Sequence, residues 1–140
     1  MTQTDLDLAQ LEQLYTIVLA IDADGQLQHS SAVLRRHLPD CIAGSAFFDH
    51  FEIMRPARFN RMAQLRNPPR SLFLIKDRRG RFAARGQMLL LHREEGDLIC
   101  FCGSPWLFWM NTNCPDVKLG LADFPPQDSQ LDQLFLMTTE

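Results

Sequence analysis

The sequence predicts an α+β domain: one five-stranded antiparallel sheet, short helices across one of its faces, and a separate helix ahead of the first strand. Three observations point there. Two strand-like runs near the N-terminus are joined by a turn signal, Asp24-Gly25. A helical, proline-punctuated stretch follows, from Ser31 to Asn67. Three further apolar runs, separated by polar turns, then close the pattern.

In order, Thr4 to Gln13 reads as a short helix. Thr4 is placed to cap it, and Asp5 and Asp7 suit the positive end of its dipole. Leu8, Leu11 and Tyr15 fall on one stripe. Tyr15 to Ile21 is a buried strand, and Gln26 to His29 a more polar return strand. Ala32, Val33, Leu34 and Leu38 form a helix stopped by Pro39. Ser45 to Phe51 reads as a second helix, with Phe47, Phe48 and Phe51 on one side. Pro56 interrupts the helical pattern, and Ala57 to Arg66 gives a third helix carrying Phe59, Met62 and Leu65.

The closing meander runs through Ser71–Lys76, Arg81–Arg93 and Leu98–Cys102. Its turns are Asp77-Arg78-Arg79-Gly80 and Glu94-Glu95-Gly96-Asp97. Residues 1–14 are thus an N-terminal helix, 15–128 the sheet domain, and 129–140 the start of a C-terminal helix with Leu131 and Leu134 on its stripe. That last helix is expected to continue into a coiled coil of a longer protein.

Leu72-Phe73-Leu74-Ile75 and Met88-Leu89-Leu90-Leu91 lack the alternation of a sheet with one wet face. The second face therefore needs a cover: the N-terminal helix, the segment after Pro105, or a second subunit. This is the sequence-level argument for a dimer, with Leu8, Leu11, Tyr15, Leu131 and Leu134 as its seam. Trp106, Phe108 and Trp109 mark either an interface or a cap on the sheet.

Composition limits the function. With 140 residues and 46% hydrophobic side chains the chain fills one domain with its own core. A net charge of −3 calls for neither nucleic acid nor an anionic membrane, and no apolar run approaches a membrane span. The N-terminus does not fit a secretory signal, which favours the cytoplasm. Of the 14 Lys and Arg, 11 lie between Arg55 and Arg93. This is read as a solvated surface, with an acidic partner domain as the other reading.

Catalytic signatures are missing. There is no Ser-His-Asp order, P-loop, dinucleotide loop or paired-carboxylate motif. Cys100 and Cys102 share a strand face, and with Cys41 and Cys114 they lack the paired turns of a zinc site. They read as reduced core thiols. His50, beside three phenylalanines, is the best-placed histidine for a haem, though a surface or satisfied histidine is favoured. No cofactor or metal is expected.

Four segments in register carry a family signal: Phe51-Glu52-Ile53-Met54-Arg55-Pro56, Gly86-Gln87-Met88, Ile99 to Pro105, and Gly120 to Pro125. Together they resemble the haem-NO-binding-associated domain, the PAS-like module that follows the haem domain in soluble guanylate cyclase and occurs in bacterial histidine kinases and cyclases. The likeness spans roughly Phe47 to Met137. It implies a PAS-like fold and a non-catalytic role. The module would dimerise, as a homodimer or a heterodimer, and relay nitric oxide signalling from a haem-NO-binding domain to a kinase or cyclase. Phe51, Arg55, Pro56, Gly86, Gln87, Ser104, Pro105 and Asp123 are its structural residues. Arg55 would pin a helix break, Gly86 would allow close backbone approach, and Gln87 would hydrogen-bond across it. Here Pro126-Gln127-Asp128 departs from the family's pattern, which often has His before Asp. The alternative is a PAS sensor with a small apolar ligand between Phe47, Phe51, Met54 and Met62. A light-sensing flavin relative is set aside, because the residues around Cys41 do not match the reactive-cysteine stretch of such proteins.

Overall fold

The computed structural model describes residues 8–113 and Leu119. The element order is α1 (Leu8–Leu14), β1 (Ile17–Ile21), β2 (Leu27–Ser30), α2 (Ala32–His37), α3 (Phe47–His50), β3 (Phe51–Arg55), α4 (Met62–Leu65), β4 (Phe73–Asp77), β5 (Ala83–Leu91), β6 (Leu98–Pro105) and α5 (Leu107–Asn113). The fold is α+β, with one six-stranded antiparallel sheet in the order β2-β1-β6-β5-β4-β3 and short helices around it.

The sixth strand corrects the sequence reading. Phe51–Arg55 does not continue a helix into a proline break. It leaves the one-turn α3 and pairs with β4, placing Phe51 opposite Asp77 and Ile53 opposite Ile75. Burial alternates here, with Phe51 and Ile53 inside and Glu52 out. This period of two outweighed the i, i+4 spacing of Phe47 and Phe51. Pro56, after a cis Arg55-Pro56 bond, ends a strand and not a helix. The expected helix over 57–66 also shrinks to the single turn of α4. Arg58 takes a left-handed φ of 67°, which helical residues do not adopt.

The other elements follow from local chemistry. In the β1–β2 turn Asp22 Oδ1 accepts the N–H groups of Asp24 and Gln26, and Gly25 takes φ 87°. Ser31 precedes α2 but does not cap it with its side chain, since Ser31 Oγ accepts the N–H of Val18 at 3.1 Å. Pro39 follows α2 and prevents its continuation.

The sheet is covered on both faces at β1 and β6. On one face Ile17, Leu19, Ile21, Ile99 and Phe101 join Val33 and Leu34 of α2, Phe47 of α3, Leu65 of α4 and Met110 of α5 in the main core. On the other, Val18, Ala20, Leu98, Cys100 and Cys102 meet Leu11 of α1, with Leu8, Tyr15, Leu89 and Leu91 at the margin. Leu11 is only 3% exposed. The cover that the apolar strands demand over this part of the sheet comes from within the chain.

At the sheet centre Ile17, Gly103, Gly86 and Phe73 form one row across four strands. The two glycines face each other across β5 and β6. A Cβ on Gly86 would lie 2.6 Å from Gly103 Cα, and one on Gly103 would lie 2.8 Å from Gly86 Cα. Both contacts are with backbone, so no side chain can give way. Gly103→Ala should therefore force the central strands apart and lower stability by roughly 1–3 kcal/mol. Urea unfolding followed by tryptophan fluorescence measures this, and a variant as stable as the parent would contradict it.

Candidate functional site

The described residues carry one dense polar cluster. It lies where the β4–β5 hairpin folds back onto the segment after α2. Asp77 ends β4 with its carboxylate only 2% exposed. Arg81, across the turn, donates from Nε to Asp77 Oδ2 at 2.7 Å and from Nη2 to Asp77 Oδ1 at 3.1 Å. Its Nη1 also lies 3.1 Å from Asp40 Oδ1, and its Nη2 3.3 Å from Asp40 Oδ2. One guanidinium thus joins two carboxylates, a geometry that its planar fork supports and a lysine would not.

The same turn reaches α3. Arg78 donates its backbone N–H to His50 O at 2.8 Å and its Nε to Phe48 O at 2.6 Å. His50 Nδ1 stands 3.9 Å from Asp40 Oδ2, and Arg79 Nη1 stands 4.0 Å from the same oxygen. His50 therefore belongs to a charged cluster, which is not the apolar pocket a haem ligand needs.

Electrostatics hold these groups together as a latch. The hydrogen bond from Arg81 holds the Asp40 carboxyl below its ordinary range. The hydrogen bonds from Asp77 and Asp40 push the Arg81 guanidinium still higher. Both carboxylates are occupied by the Arg81 guanidinium. Cys41, beside Asp40, is raised to about 11, chiefly by burial. Cys100 and Cys102 are likewise raised to about 11 and about 12 by burial under α1. Thiols in that range are protonated and unreactive.

The residues singled out from sequence are dispersed. Phe51 is core, Arg55 is exposed at the end of β3, and Gly86 meets Gly103. Gln87 is exposed opposite Cys102, and neither its side chain nor that of Arg55 has a hydrogen bond to another described residue. Ser104 pairs with Arg85 and the buried Pro105 with Ala84. Phe47 and Phe51 stack at 5.3 Å inside the core, Met62 lies over Gly25, and Met54 is a partly exposed residue of β3. An open cleft of about 370 Å³ lies elsewhere, between β2 and the segment after α2, where Gln28, His29, Arg35 and Ile42 line it. Leu8 and Tyr15 flank Leu11 on the covered face. Trp106 and Trp109 stack at 6.5 Å against the core, while Phe108 is 73% exposed. Asp123, Leu131, Leu134 and Cys114 lie outside the described residues, as do Thr4, Asp5, Asp7 and the segment 120–125.

Sequence reasoning missed the latch. Asp77 and Arg81 were read as turn and solvated surface, and Asp40 lies 41 residues from Arg81. The one local hint was an Asp and an Arg four apart around a glycine turn.

No protein-family model matches the sequence, and no curated protein matches it. Among the described residues no group of three or more His, Cys, Asp or Glu is arranged to hold a metal ion, and no helix is long and apolar enough to cross a membrane.

Two outcomes follow from the latch. Arg81→Ala leaves a buried Asp77 carboxylate without its partner and should cost roughly 3 kcal/mol in urea unfolding at neutral pH. Asp40 has its folded pKa below the ordinary 3.8. Its contribution is therefore complete above that value and fades as pH falls through the lowered one. The stability gap between the parent and Asp40→Asn should be open at about pH 6 and narrow progressively as pH falls below about 4. A gap that stays constant with pH would refute the pairing.

Proposed function

We propose that this chain is a PAS-type dimerisation and signal-relay domain of a cytoplasmic multidomain sensor, related to the haem-NO-binding-associated domain and itself non-catalytic. In that role it couples a haem domain that senses nitric oxide or oxygen to a histidine kinase or nucleotide cyclase. The antiparallel sheet with its short-helix layer between the second and the later strands supports this reading. So does the close contact of Gly86 with Gly103, which gives two of the family-like segments a common structural purpose.

The observation that carries the relay reading is the seat of α1. The helix lies directly on β1 and β6, buried through Leu11, so a displacement of the chain ahead of Leu8 reaches the sheet centre without an intermediate linker. Its Leu14 remains 46% exposed and offers apolar surface beyond the covered face. A second copy would associate through that outer side of α1, since Leu11 is already used within the protomer. The alternative, a ligand among Phe47, Phe51, Met54 and Met62, has less support because the two rings stack on each other in the core.

Sedimentation velocity of the whole chain at about 100 µM should show dimers, and Leu14→Arg should weaken association about tenfold with an unchanged melting temperature. A strict monomer at that concentration would sink the dimerisation reading. A small molecule released on denaturation and detected by mass spectrometry would favour the sensor instead.

A further inference from the structure

The connection between β3 and β4 is cationic and free of acids. Arg58, Arg61, Arg66 and Arg70 fall in it, Arg55 ends β3 just before it, and no acid occurs between Glu52 and Asp77. All five arginines are exposed, and none has a carboxylate within ion-pair distance among the described residues. By contrast, Arg81 and Lys76 nearby are paired, with Asp77 and Asp40 and with Glu52.

This connection has a fixed backbone. Leu65 is fully buried, Phe59 packs edge-on to Phe73 at 5.5 Å, and Met62 lies over Gly25. Gln64 ties the backbone from within. Its Oε1 accepts the N–H groups of Asn60 and Arg61 at 2.9 and 3.1 Å, and its Nε2 donates to Arg58 O at 2.9 Å. The apolar side chains turn inward and the guanidinium groups are left outside. Five unneutralised cations held on one ordered segment oppose folding by mutual repulsion, and an anionic partner would relieve it. The adjoining strand β3 is the last in the sheet, and no described strand pairs with its outer side.

We infer that the β3–β4 connection, with the outer edge of β3, docks an extended acidic segment of a partner protein. Guanidinium groups pair carboxylates in bidentate fashion, and an open strand edge accepts an extended chain. A nucleic acid fits less well. The connection exposes no aromatic ring for stacking, because Phe59 is turned onto Phe73. The flanking sequence is also acidic. Eight carboxylates against two arginines precede Arg55, and eight against one lysine follow Arg93, so a long polyanion would meet repulsion on both sides. A membrane fits less well again, since Leu72 is the sole large apolar side chain exposed in the connection. The inference does not depend on the relay reading, because a monomer can present the same surface.

The test uses the whole chain and a fluorescein-labelled peptide of alternating Glu and Val, about ten residues long. Fluorescence polarisation at low salt should show saturable binding that weakens as salt is added. Arg58→Glu with Arg61→Glu should weaken it at least about tenfold, whereas Arg93→Glu should change it less than about twofold. Circular dichroism melting checks that the double variant is folded. If it is not, Arg66→Gln with Arg70→Gln replaces it and should weaken binding in the same direction. Absence of peptide binding overturns the inference, as does equal loss in the Arg93 variant. Tighter binding of single-stranded DNA or phosphatidylserine vesicles than of the peptide overturns it too.

Discussion

Everything in this fold depends on the burial of β1 and β6 from both sides. Ile17 to Ile21 are fully buried in succession, and Leu98 to Cys102 nearly so. An antiparallel strand of that kind cannot tolerate water on either face, and each large apolar side chain removed from water contributes about 1.5–3 kcal/mol. Two covers are therefore obligatory. The helical segment between β2 and β4 supplies one, and α1 supplies the other. The position of α1 is thus fixed by the composition of the strands below it. Its use as a route for signals follows from a packing requirement that exists in any case.

The sheet is held differently at its two ends. Around β1 and β6 the cohesion is apolar, with Leu11 and the thiols of Cys100 and Cys102 in contact under α1. Around β3 and β4 the buried Phe51, Ile53, Phe73 and Ile75 are accompanied by charge and hydrogen bonds, through Asp77, Arg81 and Asp40 and through Arg78 on the α3 carbonyls. Arginines that read alike in the sequence fall into two groups. Arg78 and Arg81 are tied to carbonyls and carboxylates of the fold, while those at 55, 58, 61, 66 and 70 are exposed with no carboxylate partner among the described residues.

Periodicity and turn chemistry made most elements legible. Asp24-Gly25, Pro39 and Gly80 mark boundaries because their backbone geometry is local. The apolar runs at 17–21 and 98–102 are strands buried on both sides, and the strand at 73–77 alternates in burial. Strand β3 was missed because Phe47 and Phe51 also suit a helix, and only the partner strand decides between the two periods. The third helix was overread because the three-residue spacing of Phe59, Met62 and Leu65 also arises in an irregular loop pinned at those points. The latch was illegible in principle, since neither Asp40 nor Arg81 carries any mark of the other. The need for a second cover was readable, but its source was not. The cover from α1 falls on β1 and β6, while Leu72 and Leu90, in the runs whose composition stated the demand, stay exposed.

The latch has a topological consequence. Asp40 and Arg81 close a loop of 41 residues that contains α3, β3, the arginine-rich connection and β4. Closing a loop of that length carries an entropic cost that must be met at one point, and the cost grows only slowly with added length. Insertions at the exposed positions of the connection, away from the points pinned by Phe59, Met62 and Leu65, are therefore cheap beside a change at the clasp. The fold allows the exposed positions of the connection to diversify so long as Phe59 and Leu65 keep their seats against the core and Asp40, Asp77 and Arg81 remain as its clasp.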